Sequence, residues 1–65
     1  MKIIVNDAEH ELEAATLGAA LEALDYRDAT VATALNGHFV PARVRDTTPL
    51  NEGDRVEIVA PRQGG

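Results

Sequence analysis

Val31-Ala32-Thr33-Ala34-Leu35-Asn36-Gly37-His38-Phe39-Val40-Pro41 reads as strand, two-residue turn, strand and stop. Asn36-Gly37 suits a tight hairpin turn, because both central positions need a left-handed backbone that Asn and Gly tolerate best. Pro41 has no amide hydrogen and interrupts the ladder. A hairpin here needs other elements to cover it, since an isolated pair of strands is at best marginally stable in water.

Upstream, Thr16 is a fitting helix N-cap. Leu17, Ala20, Leu21 and Leu24 recur at the spacing that puts them on one helical face, with Glu22 and Asp25 towards water. Gly18 weakens such a helix by up to about 1 kcal/mol relative to Ala, so packing of the apolar stripe must support it. Further back, Lys2-Ile3-Ile4-Val5 stops at Asn6-Asp7, and alternation resumes through Glu9, His10, Glu11, Leu12 and Glu13, which is a first hairpin. Downstream of Pro41, Arg43 to Pro49 reads as irregular and polar, and Asn51-Glu52-Gly53-Asp54 as a turn. A last strand runs from Arg55 to Ala60, followed by Pro61, Arg62, Gln63, Gly64 and Gly65 with no apolar anchor.

The order is hairpin, helix, hairpin, final strand. One helix and one sheet, each with a single apolar face, cover one another in a two-layer α+β domain. If the helix carries the chain back across the sheet, the last strand lies centrally beside the first. Ile3 and Val5 then meet Val56 and Ile58 under Leu21 and Leu24. The opposite sheet face receives Ile4 and Val59 as neighbours; with Phe39 they form a candidate docking surface.

Size and charge narrow the function. The chain has 65 residues, and a domain this small buries only about 60% of the surface of its unfolded chain, which argues against a large internal active-site cavity. With no Cys and two His there is no disulfide and no plausible zinc cage. Six basic residues against eleven acidic ones give a net charge of −5, and one Tyr and one Phe are the only aromatic residues. That is the opposite of what a nucleic acid recruits. Apolar runs are too short to span a bilayer or to form a secretory signal, so the expected compartment is the cytoplasm.

No nucleophile context, glycine-rich phosphate loop or metal-spaced His pair is present. Glu9, Glu11 and Glu13 share one strand face, and on an edge strand they read as a solvated, aggregation-resistant rim. The Gly64-Gly65 end stands apart. At average glycine usage of about 7%, two terminal glycines arise by chance in about 0.5% of chains. The positions after Ala60 reach roughly 16 to 18 Å from the domain. Without Cβ atoms the last two can pass a narrow channel and approach a nucleotide closely. The one reactive group delivered is the Gly65 carboxylate, which is ionised at neutral pH and a poor electrophile until activated. Its attack on the α-phosphate of ATP gives an acyl adenylate, with a partner supplying the metal and cationic groups. This chain is then the carried acyl group and the partner is the enzyme.

Ala34-Leu35-Asn36-Gly37-His38-Phe39-Val40-Pro41, then Leu50, Gly53-Asp54-Arg55-Val56-Glu57-Ile58-Val59 and Gly64-Gly65, together with the opening Met1-Lys2-Ile3-Ile4-Val5-Asn6, resemble the ThiS family of thiamine-biosynthesis sulfur carriers. The resemblance implies a ubiquitin-like β-grasp fold: a mixed four- to five-stranded sheet on one main helix over residues 1–60, with a flexible C-terminal tail over 61–65. It further implies that Gly65 is adenylated by a ThiF-like enzyme using Mg-ATP, this chain binding no cofactor of its own. A cysteine-derived sulfur donor system then converts Gly65 to a thiocarboxylate, the 1-thioglycine, and thiazole synthase takes the sulfur. Gly64, Gln63 and Arg62 would enter the partner's channel. Where many relatives continue after Val40-Pro41 with Arg and soon an aromatic residue, this chain has Ala42-Arg43-Val44-Arg45. The alternatives are a sulfur carrier for molybdopterin or cysteine synthesis, a ubiquitin-like modifier that forms isopeptides, and an interaction module whose tail is idle.

Overall fold

The computed structural model describes residues 1–26 and 30–60. Strands β1 (Lys2–Val5) and β2 (Ala8–Glu11) form the first hairpin, with Lys2 opposite Glu11 and Val5 opposite Ala8. Its turn residues Asn6 and Asp7 both have positive φ, 49° and 71°, a backbone hand that matches the right-handed twist of the strands. The second hairpin, β3 (Ala32–Leu35) and β4 (His38–Val40), closes through Asn36 (φ 50°) and Gly37 (φ 86°), with Leu35 opposite His38. Strand β5 (Arg55–Val59) lies between the hairpins, parallel to β1 and antiparallel to β3, in a five-stranded sheet of order β2-β1-β5-β3-β4. The last strand is therefore central and beside the first, as the sequence pattern requires.

Helix α1 (Leu17–Ala23) covers one sheet face. Thr16 Oγ1 accepts the Ala19 amide at 3.1 Å, satisfying one of the donors a helix start leaves open. Another, the Leu17 amide, donates to the Thr48 carbonyl at 2.8 Å, while the Leu50 amide donates to Ala15 at 3.0 Å. The stretch before β5 is thus laced to the helix entry. At the other end the Tyr26 amide donates to Leu21 (2.8 Å) and the Asp25 amide to Glu22 (3.1 Å), with Asp25 at φ 68°. This is a left-handed helix cap built on Asp rather than Gly.

Beneath the helix, Ile3, Val5, Val56 and Ile58 from the sheet meet Leu17, Ala20 and Leu21, and Val40 and Leu50 close the ends. Leu24 is half-buried at the margin of this cluster. Burying a Val, Leu or Ile side chain stabilises by about 1.5–3 kcal/mol, so this apolar layer carries the fold.

The stretch from Arg43 to Pro49, expected to be irregular, is partly ordered: Ala42–Thr47 forms a 3₁₀ helix following Pro41. Its support comes from far along the chain. Arg45 donates from Nε to Thr33 Oγ1 at 3.0 Å and from Nη2 to the Val31 carbonyl at 2.6 Å. Thr33, the one buried polar residue among those described, donates a hydrogen bond from its hydroxyl to the Val40 carbonyl at 2.8 Å. No described helix is long and apolar enough to cross a membrane.

Candidate functional site

The sheet face away from α1 follows from strand alternation and register. It carries Lys2 and Ile4 from β1, Glu9 and Glu11 from β2, Arg55, Glu57 and Val59 from β5, Ala32 and Ala34 from β3, and Phe39 from β4. Its two halves differ in chemistry. Towards β2 it is ionic: Lys2 Nζ lies 3.8 Å from Glu9, and Arg55 Nη2 lies 3.0 Å from Asp7 Oδ1. Towards β4 it is apolar. Val59 is paired with Ala32, and Ala34 stands between Glu57 and Phe39. Phe39 and Val59 are 70% and 63% exposed and are the large apolar side chains that the described fold leaves to solvent. Ala32 and Ala34 lie between them, so Phe39 and Val59 stand on a diagonal two strand spacings and two residues apart, roughly 12 Å, across a shallow shelf bordered by Glu57.

This arrangement corrects one expectation. Ile4 and Val59 are not neighbours. Ile4 is half-buried between Glu9 and Arg55, and Val59 lies four positions beyond Arg55, roughly 13 Å along the strand. The stagger of the parallel β1 and β5 pair produces this separation. Phe39 does share a patch with Val59, through Ala32 and Ala34, which sequence reasoning did not single out. The signal was available: a two-residue turn at Asn36-Gly37 sets Ala34 opposite Phe39.

Strand β5 runs parallel to β1, so it ends beside the Asn6-Asp7 turn. There Asn6 donates its backbone amide to Val56 at 3.0 Å and bonds Ile58 twice through its side chain: Oδ1 accepts the amide at 2.9 Å and Nδ2 donates to the carbonyl at 3.0 Å. Asn6 was not singled out by sequence beyond its turn. Val59 and Ala60, both exposed, follow. Arg62, Gln63, Gly64 and Gly65 lie outside the described residues, as does the rest of the stretch 61–65.

The carboxylate rim sits on and just past the edge strand β2. The Met1 amine donates to the Leu12 carbonyl at 3.0 Å and pairs with Glu11 (3.1 Å) and Glu13 (3.6 Å). The hydrogen bond to Glu11 raises the amine above its ordinary pKa of 8.0, against partial desolvation and with help from the Glu13 charge. Among the described residues no group of three or more His, Cys, Asp or Glu is placed to hold a metal ion.

Comparison with known proteins now adds to this geometry. The sequence model of the ThiS family matches residues 2–65. The chain belongs to the ThiS family. Three solved chains match it, among them a crystal structure described as a thiamine biosynthesis protein (ThiS) from Geobacter metallireducens. That protein is 29% identical, superposes with a TM-score of 0.82, and is covered over 100% of both chains. No curated protein matches. The ThiS neighbour has the same five-stranded mixed sheet on one main helix, the ubiquitin-like β-grasp, so the fold expected from the resemblance is the one observed. The family match extends through the Gly64-Gly65 positions.

Proposed function

We propose that this chain is a sulfur carrier of thiamine biosynthesis, a protein substrate rather than a catalyst, with Gly65 as its reactive residue. The observation that supports this most is the family match over residues 2–65, which includes the glycine pair. Residues 1–60 act as the folded handle, and residues 61–65 as the lead that reaches a partner's active site. The Gly65 carboxylate oxygen attacks the α-phosphate of ATP on an adenylating partner, forming the acyl adenylate and expelling pyrophosphate. Hydrosulfide derived from cysteine then attacks the acyl carbon, AMP leaves, and the thiocarboxylate remains. A thiazole synthase takes the sulfur from it. ATP and its metal belong to the partner. Gly64, Gln63 and Arg62 line the approach, the glycine because a side chain would widen the segment at its narrowest point.

The shelf of Phe39, Ala34, Ala32 and Val59 supplies the docking face, with Ile4 at its ionic margin. An exposed Phe and an exposed Val on one sheet face, with two alanines between them, offer a partner apolar contact area.

The test is pyrophosphate exchange into ATP by a ThiF-like enzyme. Exchange should require the full chain and vanish when Gly65 is deleted, while thermal unfolding of the deleted form stays unchanged. Exchange that survives deletion, in a protein still bound by the enzyme, contradicts the assignment of Gly65. Deletion that leaves biological activity intact would favour an interaction module.

A further inference from the structure

Asn6 performs a task that its place in a turn does not require. β1 ends at Val5, whose partner on β5 is Val56, and the left-handed backbone of Asn6 (φ 49°) swings the chain away into β2. β5 continues to Val59. Its alternate residues point their backbone groups towards β1: the Asp54 carbonyl accepts from Ile4 at 2.9 Å and the Val56 carbonyl from Asn6 at 3.0 Å. The next residue in that series is Ile58, where β1 has already departed. The Asn6 carboxamide takes the vacated position, accepting the Ile58 amide at 2.9 Å and donating to its carbonyl at 3.0 Å. A side-chain amide carries the same donor and acceptor as a peptide group, so it extends the ladder one step past the end of the strand.

Asn36 is the matching residue at the other end of β5. It also has a left-handed backbone (φ 50°), and its Oδ1 accepts the Arg55 amide at 3.0 Å while Nδ2 donates to Asp54 at 3.1 Å. The two turns thus clamp the central strand at both ends, the Asn6 clamp at Ile58, two residues before Ala60.

We propose that Asn6 is a positioning residue for that segment: its double hydrogen bond to Ile58 fixes where the chain leaves the sheet, and so fixes the origin from which Gly65 is delivered. The inference rests on the carrier reading above. Without the clamp the end of β5 is held from the β3 side alone, by the Val59–Ala32 and Ile58–Thr33 pairs; whenever that last stretch opens, two or three extra free residues add roughly 7–10 Å of slack to the lead. Slack of that size lowers the fraction of time the carboxylate spends aligned with the α-phosphate. It leaves the docking shelf on β3 and β4 untouched.

Asn6→Gly and Asn36→Gly make a matched pair, because Gly accepts the left-handed backbone in both turns and each variant loses only its carboxamide. Both are assayed with the adenylating partner well below their unfolding temperatures, alongside hydrogen exchange of the Ile58 amide. Asn6→Gly should lower kcat about tenfold with KM for the carrier unchanged, and Asn36→Gly should keep the wild-type kcat. Ile58 exchange should quicken in Asn6→Gly alone. A wild-type kcat in Asn6→Gly overturns the proposal, as does an equal loss in Asn36→Gly, which would mark a general effect of stability. If the wild-type chain supports no pyrophosphate exchange, the carrier reading fails and the proposal with it. Unaltered Ile58 exchange in Asn6→Gly overturns the clamp even where the wild-type chain is a good substrate.

Discussion

Gly18 carries more information than its helix propensity. A Cβ at this position would overlap the Asp46 carboxylate and stand 3.2 Å from the Asp46 Cα, so the missing side chain is what lets the 3₁₀ helix close on α1. In a free helix Gly18→Ala would gain about 1 kcal/mol. Here it should gain nothing, and in an Asp46→Ala background its effect should become more favourable by at least about 0.5 kcal/mol, measured by urea unfolding of the four-member cycle. Strict additivity would contradict the contact. A second residue-scale test concerns the Met1 amine, whose pKa is raised chiefly by its hydrogen bond to Glu11. A raised folded-state pKa means that this contribution is complete below pH 8.0 and is lost as pH climbs through the folded value. Between neutral pH and about pH 10 the wild-type chain should therefore lose more stability than Glu11→Gln, and identical profiles would show that the pairing does not stabilise the fold.

Elements differ in how far local sequence specifies them. The two hairpins were legible because Asn6-Asp7 and Asn36-Gly37 supply residues that accept positive φ, and α1 because Thr16 caps a stripe of Leu17, Ala20 and Leu21. The ordered Ala42–Thr47 segment was not legible. It has no apolar period, and Arg45 holds it through Thr33 and Val31, partners that no window of sequence brings together. The position of Ile4 was misjudged for a related reason: alternation gives the face of a residue, while the stagger between parallel strands depends on the whole sheet. Thr33→Val tests the first case. It keeps the shape but leaves Arg45 Nε and the Val40 carbonyl short of a partner, and should cost about 1–3 kcal/mol in chemical unfolding. A change within about 0.5 kcal/mol would mean that water replaces Thr33 at no cost.

At the scale of the molecule, the fold separates stability from recognition. One sheet face and α1 hold the apolar core, while the other face leaves Phe39 and Val59 to solvent, where we place the partner's docking surface. Phe39→Ser should therefore change the unfolding free energy by no more than about 0.5 kcal/mol, yet raise the KM of the adenylating enzyme for the carrier. An unchanged KM would remove Phe39 from the docking face. The net charge of −5 asks only for a partner without a strongly acidic surface. The proposed site of chemistry, Gly64-Gly65, rests on the sequence and lies outside the described residues, whereas the proposed docking shelf needed the sheet register that relates Phe39 to Val59 through two alanines. What binds these readings together is the fate of one carboxylate. Intact-mass measurement after incubation with ATP, a ThiF-like enzyme and a cysteine-derived sulfur donor, followed by fragmentation, should find one oxygen replaced by sulfur at Gly65. An unchanged mass beside an enzyme shown to be active on another carrier, or sulfur located at any other residue, would contradict the carrier role.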